Sequence, residues 1–289
     1  MRISKDWKEY ELLDVGNGEK VERWGKVILR RPDPQAIWPA EQTNLWEKID
    51  ACYFRSDKGG GRWEFYQKVP EYWTISYKEL TFKVSPTGFK HTGLFPEQAC
   101  NWDYIIQKIK YSQRQVRVLN LFAYTGGATL ASAFGGAFEV VHVDASKGMI
   151  EWAKENVTLS HLDQARIRFI VDDCLKFVER EARRGRKYDA IIMDPPSYGR
   201  GPNGEMWKFE HQIQILIEAC RKILSDQPLF FLVNSYTTGI SATGLSNILT
   251  KTILKDYPNG TVEAGEIGLP IKQSDLILPC GIYARYESN

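Results

Sequence analysis

The sequence predicts an α/β protein with a doubly wound, mostly parallel seven-stranded sheet and a small β-rich domain before it. From about residue 86 onward, apolar runs of strand length alternate with segments whose apolar residues recur every three or four positions. Before residue 85, short runs rich in β-branched and aromatic residues are separated by glycine, proline and charged residues. We therefore predict a small β-rich domain at residues 1–85 and a sheet domain at residues 86–289.

Five short runs mark the strands of the small domain: KVILR, ACYFRS, RWEFYQ, WTISY and LTFKV. The Gly-Asn-Gly segment at 16–18 predicts a turn, since glycine tolerates positive φ. Four cations lie near Trp24, and this mixture has two interpretations: contact with phosphates and bases of a nucleic acid, or the charged face of an alternating strand. The cations are Arg23, Lys26, Arg30 and Arg31.

The seven strands of the sheet domain are predicted in chain order at VRVLNLF (116–122), EVVHVD (139–144), RIRFIV (166–171), YDAIIMD (188–194), PLFFLVNSY (228–236) and around TVEAGEI and CGIYARY. Helical segments such as KGMIEWAKENVTL and HQIQILIEACRKIL separate them. In open α/β sheets, ligands bind beyond the carboxyl ends of the strands. The residues that follow the first four strands are therefore the candidates for a functional site.

Composition narrows the class of protein without naming its partner. The 38 basic and 36 acidic residues give a net charge of +2, which does not by itself indicate nucleic-acid binding. Five scattered cysteines without a C-x-x-C pair favour a reduced cytosolic compartment. The four histidines have no metal-like spacing, and we find no signal peptide or membrane span, so we expect a cytoplasmic protein without a metal.

The first two strand ends predict a site for an adenosine-type cofactor. Gly126 and Gly127 begin a helix after the first strand, where missing side chains let a ligand approach backbone N–H groups. Asp144 ends the second strand, where a carboxylate accepts both hydroxyl hydrogens of a ribose. The loop lacks a full G-x-G-x-x-G, which favours a cofactor without a pyrophosphate, although a nicotinamide dinucleotide stays an alternative.

The next two strand ends are also polar. Asp172 and Asp173 follow the third strand, where a carboxylate either accepts from an adenine amino group or caps the next helix. The fourth strand ends in Asp194, Pro195, Pro196, Ser197 and Tyr198. Two prolines fix φ and remove two donors, so we expect rigid carbonyls that stay free to accept from a planar base, which would stack on Tyr198. A simple turn after the strand is the alternative.

At these residues the sequence resembles the class I S-adenosylmethionine-dependent methyltransferases, especially the bacterial group with the 23S ribosomal RNA cytosine and guanine methyltransferases. The matching motifs are NLFAYTGG, VDAS, VDDC, MDPPSYGRG and the approach segment KHTGLFPEQ. The resemblance covers roughly residues 85–289 and implies a Rossmann-like sheet that binds S-adenosylmethionine, with residues 194–198 facing the target. The cofactor contacts it implies are Phe122, Tyr124, Gly126, Asp144 and Asp173, with Thr92, Gly93, Phe95 and Gln98 on the other side.

Two departures from the family pattern bear on the target atom. His91 and Ala99 interrupt the approach segment, so its usual lysine and arginine contacts are not transferred. Where cytosine carbon methylators have Ser-Cys-Ser, this chain has Asn234-Ser235-Tyr236, although methylation of that carbon needs a thiolate. Cys280 is either a substitute for that thiolate or a buried structural residue. A nitrogen target, which needs no thiol, is favoured.

We therefore expect a methyltransferase that moves a methyl group from S-adenosylmethionine to a base of RNA, with ribosomal RNA as the expected partner. Three alternatives remain: the same chemistry on a protein or small molecule, a nucleotide-dependent oxidoreductase, or an RNA-binding module without catalysis. The sequence makes no prediction of the oligomeric state.

Overall fold

The computed structural model describes residues 1–56, 60–88, 90–201 and 203–289. Contacts between Cα atoms divide the chain into two compact units. The small unit consists of Arg2–Cys100 and Ile267–Cys280, and the large unit consists of Met1, Asn101–Glu266 and Gly281–Asn289. The small unit thus takes its residues from two segments far apart in sequence. The domain boundary at residue 85 stays a prediction.

The small unit is built mainly from β-strands, as its short runs predict. Its elements are β1 (Arg2–Ile3), β2 (Tyr10–Gly16), β3 (Glu19–Trp24), β4 (Val27–Pro32), α1 (Thr43–Trp46), β5 (Ala51–Arg55), β6 (Gly61–Phe65), β7 (Trp73–Tyr77) and β8 (Leu80–Val84). One sheet has the order β2-β3-β4-β5-β6, and β7 pairs with β8. The predicted turn joins β2 to β3 through Asn17 and Gly18, whose φ angles are 54° and 79°.

A buried charge network crosses β3 and β4. Glu22 is fully buried, and its carboxylate accepts hydrogen bonds from Arg31 Nε and from the Tyr10 hydroxyl, both at 2.7 Å. Lys20 Nζ lies 3.5 Å from the same carboxylate and 3.2 Å from Asp33. Burial by itself raises the pKa of Glu22, but the charges of Arg31 and Lys20 outweigh it and lower this pKa to about 2.

Three of the four cations considered for nucleic-acid contact in this region are already paired within the protein. The pairs join neighbouring strands: Arg23 with Glu11, Arg30 with Glu19 and Arg31 with Glu22. Trp24 is fully buried, so its ring is not available to stack on a base, whereas Lys26 is exposed. This arrangement favours the paired strand face over the phosphate contact.

We expect Glu22→Gln to lower the free energy of unfolding by about 2 kcal/mol at pH 7, because the buried Arg31 and Lys20 lose their counter-charge. Chemical denaturation measures this change, and Glu64→Gln, which breaks the exposed pair with Arg62, is the matched control. The wild-type contribution should be complete above pH 4.5, the ordinary pKa, and lost as pH falls toward 2. Equal losses in both variants would contradict a stabilising buried network.

The remaining elements follow in chain order. They are α2 (Ala99–Tyr111), β9 (Arg117–Leu121), α3 (Gly127–Phe134), β10 (Glu139–Asp144), α4 (Lys147–Leu159), β11 (Ile167–Val171), α5 (Cys174–Arg183), β12 (Ala190–Met193), β13 (Tyr198–Arg200), β14 (Met206–Lys208), α6 (Phe209–Arg221), β15 (Phe230–Ser235), α7 (Ala242–Leu249), β16 (Gly260–Pro270) and β17 (Ile277–Ser288). The strands and helices predicted for this region correspond to observed elements, whereas the short strands β13 and β14 were not predicted.

The central sheet has the strand order β1-β16-β17-β15-β12-β9-β10-β11. The five strands from β15 to β11 are parallel, and β17 is antiparallel to β15. The doubly wound, mostly parallel fold is thus confirmed. The sheet has eight strands instead of seven, because β1 pairs with the end of β16. A strand of two residues is too short for a period-two pattern, so the sequence did not predict it.

The carboxyl ends of the parallel strands are aligned. Leu121 at the end of β9 lies beside both Val143 of β10 and Met193 of β12, and Met193 lies beside Val233 of β15. Residues 122, 144, 194 and 234 therefore follow at the same edge of the sheet. The chain runs outward from β9 through β10 and β11 and returns to the other side of β9 at β12. This change of direction is the switch point at which ligands bind in such sheets.

The main core lies between the sheet and helices α5, α6 and α7. Apolar side chains from the three helices and buried residues of the strands form one cluster, so the helices are packed firmly against the sheet. Representative members are Phe177, Ile213, Ile217, Leu249, Leu119, Ile191 and Phe231.

Candidate active site

The loop after β9 folds back onto the carboxylate that ends β10. Phe122 and Tyr124 have positive φ angles of 53° and 50°, a conformation that costs energy in residues other than glycine. The Tyr124 backbone N–H donates to Asp144 Oδ2 at 2.8 Å, and the Ala123 N–H donates to the Val143 carbonyl at 3.1 Å. Backbone strain that is held in this way is concentrated at functional sites. The loop is therefore a candidate for ligand contact.

The Asp144 carboxylate is held by two backbone donors. Its Oδ1 accepts from the Ser146 N–H and its Oδ2 from the Tyr124 N–H, each at 2.8 Å. An ionised carboxylate has about four acceptor positions, so each oxygen keeps the capacity for another donor. Burial raises the pKa of Asp144, and the two N–H groups oppose the rise. The arrangement suits two neighbouring hydroxyl groups, as the sequence predicts for a ribose.

The two glycines at the start of α3 are required by close packing. Gly126 has a φ of 93°, and a Cβ there would lie 3.2 Å from both Ala153 Cβ and Leu130 Cδ1. A Cβ on Gly127 would lie 2.7 Å from the ring of Trp102. The sequence did not predict this packing, because it depends on contacts with α2 and α4. The approach of a ligand to the backbone at Gly126 stays a prediction.

A buried polar chain supports the same loop from inside the sheet. Asn120 Nδ2 donates to Thr129 Oγ1, which lies 2.9 Å from His142 Nδ1, and the first bond is also 2.9 Å long. Burial lowers the pKa of His142 to about 3, so the imidazole is neutral at pH 7. The chain ties α3 to β9 and β10. The sequence predicts His142 inside a strand, as observed. It did not predict the contacts with Thr129 and Asn120.

The two aspartates after β11 are both engaged within the large unit. Asp173 caps α5, and its Oδ1 accepts from the Lys176 N–H at 2.9 Å. Asp172 Oδ1 accepts from the Asp173 N–H at 2.9 Å, and Asp172 also pairs with Arg180. The helix-cap interpretation is therefore the observed one for Asp173. A further contact from its other oxygen to a cofactor stays a prediction.

The segment after β12 is exposed at its end. Asp194 is half-buried and Pro195 is buried, whereas Pro196, Ser197 and Tyr198 are exposed. Within the part of the chain that the structure describes, the Pro195 carbonyl receives no hydrogen bond, as predicted. The prediction of a free carbonyl is wrong for Pro196. Its oxygen accepts from a tryptophan side chain eleven residues further along the chain.

That tryptophan, Trp207, connects two parts of the site that the sequence did not link. Its Nε1 donates to the Pro196 carbonyl at 2.6 Å. Its ring lies 5.0 Å from the ring of Phe122, measured between centroids. Trp207 is 7% exposed and belongs to β14, which pairs with β13 in a hairpin that begins at Tyr198. The residue thus fixes the segment after β12 against the loop after β9.

The end of β15 provides amides and hydroxyls to the same edge. Asn234 and Ser235 are buried, and Asn234 Oδ1 accepts from Asn101 Nδ2 at 2.9 Å. The Ser197 hydroxyl accepts from Thr237 Oγ1 at 3.0 Å, which ties the Pro-Pro segment to the chain after β15.

The thiols of Cys174 and Cys280 are not activated. Cys174 accepts a hydrogen bond from the Phe122 N–H at 3.4 Å, and burial raises the pKa of its thiol well above the ordinary value. Cys280 belongs to the small unit, where its thiol donates to the Leu278 carbonyl at 3.4 Å. Burial raises the pKa of Cys280 as well. Both groups are therefore protonated at neutral pH, which favours the structural interpretation of Cys280.

The approach segment belongs to the small unit. Thr92 is fully buried, Gly93 has a φ of 89°, and Gln98 is buried in a short helical turn. The ring of Phe95 lies 5.3 Å from that of His91. These four predicted residues therefore belong to one short segment of the small unit. The other predicted site residues lie in the large unit.

Neither a metal centre nor a spanning helix is found in the described ranges. No group of three or more histidine, cysteine, aspartate or glutamate side chains there is arranged to hold a metal ion. No described helix has the length and apolar character needed to cross a bilayer.

Comparison with protein families gives a match over residues 36–234 to the model of the S-adenosylmethionine-dependent methyltransferases. The match begins well before residue 85, so it includes much of the β-rich region that the sequence resemblance left out. A ribosomal RNA large subunit methyltransferase K/L of Shewanella frigidimarina is 35% identical over 207 residues, which cover 70% of this chain. This chain spans 27% of the length of that relative.

Two solved structures resemble the whole chain. The SAM-dependent methyltransferase of Agrobacterium tumefaciens is 37% identical, with a TM-score of 0.95, and the match covers 100% of this chain and 93% of that one. A second protein, crystallised with SAH, is 20% identical with a TM-score of 0.74 and shares the fold over 98% of this chain and 76% of its own.

Proposed function

This chain belongs to the S-adenosylmethionine-dependent methyltransferases, and we propose that it methylates a base of RNA, with ribosomal RNA as the substrate. The sequence left open whether the enzyme is a methyltransferase or a nucleotide-dependent oxidoreductase. Membership of this family excludes the oxidoreductase. The substrate is inferred from the name of the Shewanella relative and from the chemistry of the segment after β12. A cytoplasmic location is part of the same proposal.

The loop after β9 and the end of β10 fit the adenosyl part of S-adenosylmethionine. The remaining acceptor positions of Asp144 would bind the two ribose hydroxyls, and the oxygen of Asp173 that does not cap α5 would face the adenine. Phe122, Tyr124 and Gly126 would line the cofactor from the strained loop, and Thr92, Gly93, Phe95 and Gln98 would supply the contacts of the approach segment. When bound, S-adenosylmethionine supplies an electrophilic methyl group on a sulfonium.

The observation that carries the substrate proposal is the unengaged carbonyl of Pro195 beside Asp194 at the switch point. A planar amino group would donate one hydrogen to this carbonyl and another to the Asp194 carboxylate, which would then receive the proton released on methylation. Pro196, Ser197 and Tyr198 would border the base. Holding the nitrogen lone pair in line with the methyl group accounts for most of the expected rate enhancement.

A nitrogen target agrees better with the site than carbon 5 of a pyrimidine. Carbon methylation requires a thiolate that adds to the ring. Asn234 and Ser235 occupy the strand end where such a cysteine is expected, and the thiol of Cys174 is buried with a raised pKa. We therefore propose an exocyclic or ring nitrogen as the methylated atom.

The test is transfer of radiolabelled methyl from S-adenosylmethionine to total RNA, DNA and protein extracted from a strain that lacks the gene. We expect label in one modified nucleoside of ribosomal RNA, with the methyl group on nitrogen. Label in protein or in small molecules alone would keep the family assignment and overturn the RNA proposal. A carbon-methylated pyrimidine would overturn the choice of nitrogen.

A further inference from the structure

The hairpin formed by β13 and β14 has one buried and one exposed face. Directly opposed residues of an antiparallel pair point to the same side of the sheet. The opposed pairs are Tyr198 with Lys208, Gly199 with Trp207 and Arg200 with Met206. Trp207 is buried, so its pair marks the inner face. The outer face, which consists of Tyr198, Arg200, Met206 and Lys208, is exposed at all four positions.

The two cations of the outer face have no carboxylate partner among the residues that the structure describes. Glu205, which lies between the two cations in the sequence, pairs with Lys176 of α5 and is thereby neutralised. Most arginines described above differ in this respect, since Arg23, Arg30 and Arg31 all pair with glutamates. The outer face therefore keeps two positive charges that are available to an anion.

Two large side chains lie beside these charges and remain open to solvent. Tyr198 is 52% exposed and Met206 is 54% exposed. The Tyr198 hydroxyl donates to Met206 Sδ at 3.0 Å, which joins the two groups into one continuous surface. An aromatic ring flanked by unpaired cations is the combination that binds single-stranded nucleic acid, because bases stack on the ring and phosphates meet the charges.

The inner face fixes this surface to the proposed active site. Trp207 holds the Pro196 carbonyl and packs on Phe122. The Phe209 N–H donates to the Ser197 carbonyl at 3.1 Å, which closes the base of the hairpin. The ion pair between Glu205 and Lys176 ties its turn to α5. The outer face is therefore preorganised and begins one residue after Ser197.

We propose that the outer face of this hairpin binds the single-stranded RNA nucleotides that flank the target base. The inference rests on the proposed RNA substrate. It adds where the protein contacts that RNA and that the contacted nucleotides are single-stranded. Tyr198 borders the target base and stacks on the base next to it, Arg200 and Lys208 contact phosphates, and Met206 extends the apolar surface beside the ring. A duplex offers no unstacked base to Tyr198, so it fits this surface less well.

The test measures binding of a short, fluorescently labelled single-stranded RNA and of the same sequence as a duplex, together with methylation of total RNA. The double variant Arg200→Ala, Lys208→Ala should raise the dissociation constant of the single strand on the order of tenfold at physiological salt. It should also lower the slope of log affinity against log salt by about 1.4, at about 0.7 for each phosphate. Affinity for S-adenosylmethionine, measured by calorimetry, should be unchanged.

The matched control is Lys110→Ala, Arg186→Ala, which removes the same two charge types. Both residues are exposed and precede β9 and β12, so they lie toward the opposite edge of the sheet. This control should bind RNA like the wild type. Tyr198→Ala should weaken single-strand binding on the order of tenfold, and Tyr198→Phe should restore it, since stacking needs only the ring.

Each outcome separates the two proposals. If the wild type methylates RNA but the Arg200, Lys208 variant keeps wild-type affinity and salt slope, the hairpin inference is wrong and the proposed function stands. If an acidic polypeptide binds as tightly as the single strand, or the duplex binds better, the hairpin inference is also overturned. If the wild type methylates no RNA, the proposed function fails before any variant is compared.

Discussion

Asp144→Ala is expected to weaken S-adenosylmethionine binding on the order of 1000-fold. The carboxylate would accept two ribose hydroxyls, and each hydrogen bond to a charged group contributes about 1.5 to 3 kcal/mol. The substitution also removes the acceptor of the Tyr124 and Ser146 N–H groups, which hold the strained loop after β9. Isothermal calorimetry with S-adenosylmethionine and with S-adenosylhomocysteine measures the loss directly.

Asp144→Asn is the conservative variant for this prediction. Its carbonyl oxygen keeps one acceptor, so the affinity should fall between those of the wild type and Asp144→Ala. Thermal unfolding without ligand shows whether either variant has lost its fold. Wild-type affinity in a folded Asp144→Ala protein would show that the ribose lies elsewhere.

Asp194→Ala is expected to lower kcat for RNA methylation by about 100-fold to 1000-fold, with little change in affinity for S-adenosylmethionine. The size follows from removal of one preorganised polar group at the reacting centre. Asp194 lies at the strand end, where it would hold the amino group and receive its proton. Single-turnover rates at saturating cofactor isolate the chemical step.

Asp226→Ala is the matched control for this prediction. Asp226 is an exposed aspartate before β15, at the opposite end of the parallel strands. Its variant should keep the wild-type rate. If Asp194→Ala instead weakened the cofactor and left the single-turnover rate intact, Asp194 would be assigned to cofactor binding and the proton role withdrawn.

The sequence predicts most elements of the sheet, because its strands and helices carry their own periodicities. The aligned strand ends also follow from sequence, since Asp144 and Asp194 each come directly after an apolar run. What the sequence did not predict depends on contacts between distant residues. The bond from Trp207 to Pro196 is one example, because no local pattern indicates which carbonyl a buried indole will reach.

The buried Arg31 is a different case, because the signal was present in the sequence. Val27, Leu29 and Arg31 alternate along β4, and all three are buried on the same face. Period two therefore places the guanidinium inside, where a buried carboxylate must neutralise it. The partner, Glu22, lies on the neighbouring strand. A cation in phase with the apolar positions of a strand indicates an internal ion pair rather than a contact surface.

The divided composition of the small unit has a consequence for the order of synthesis. Ile267 and Gly268 pair with β1, and the Lys272 N–H donates to the Leu12 carbonyl at 2.8 Å. A ribosome that extends the chain from its amino end makes the first hundred residues long before these partners exist. The amino-terminal strands keep unpaired backbone groups until residues 267–272 have emerged from the ribosome. A nascent chain arrested just before residue 267 would contain the five parallel strands of the central sheet, but it would lack β17 and the residues that pair with β1.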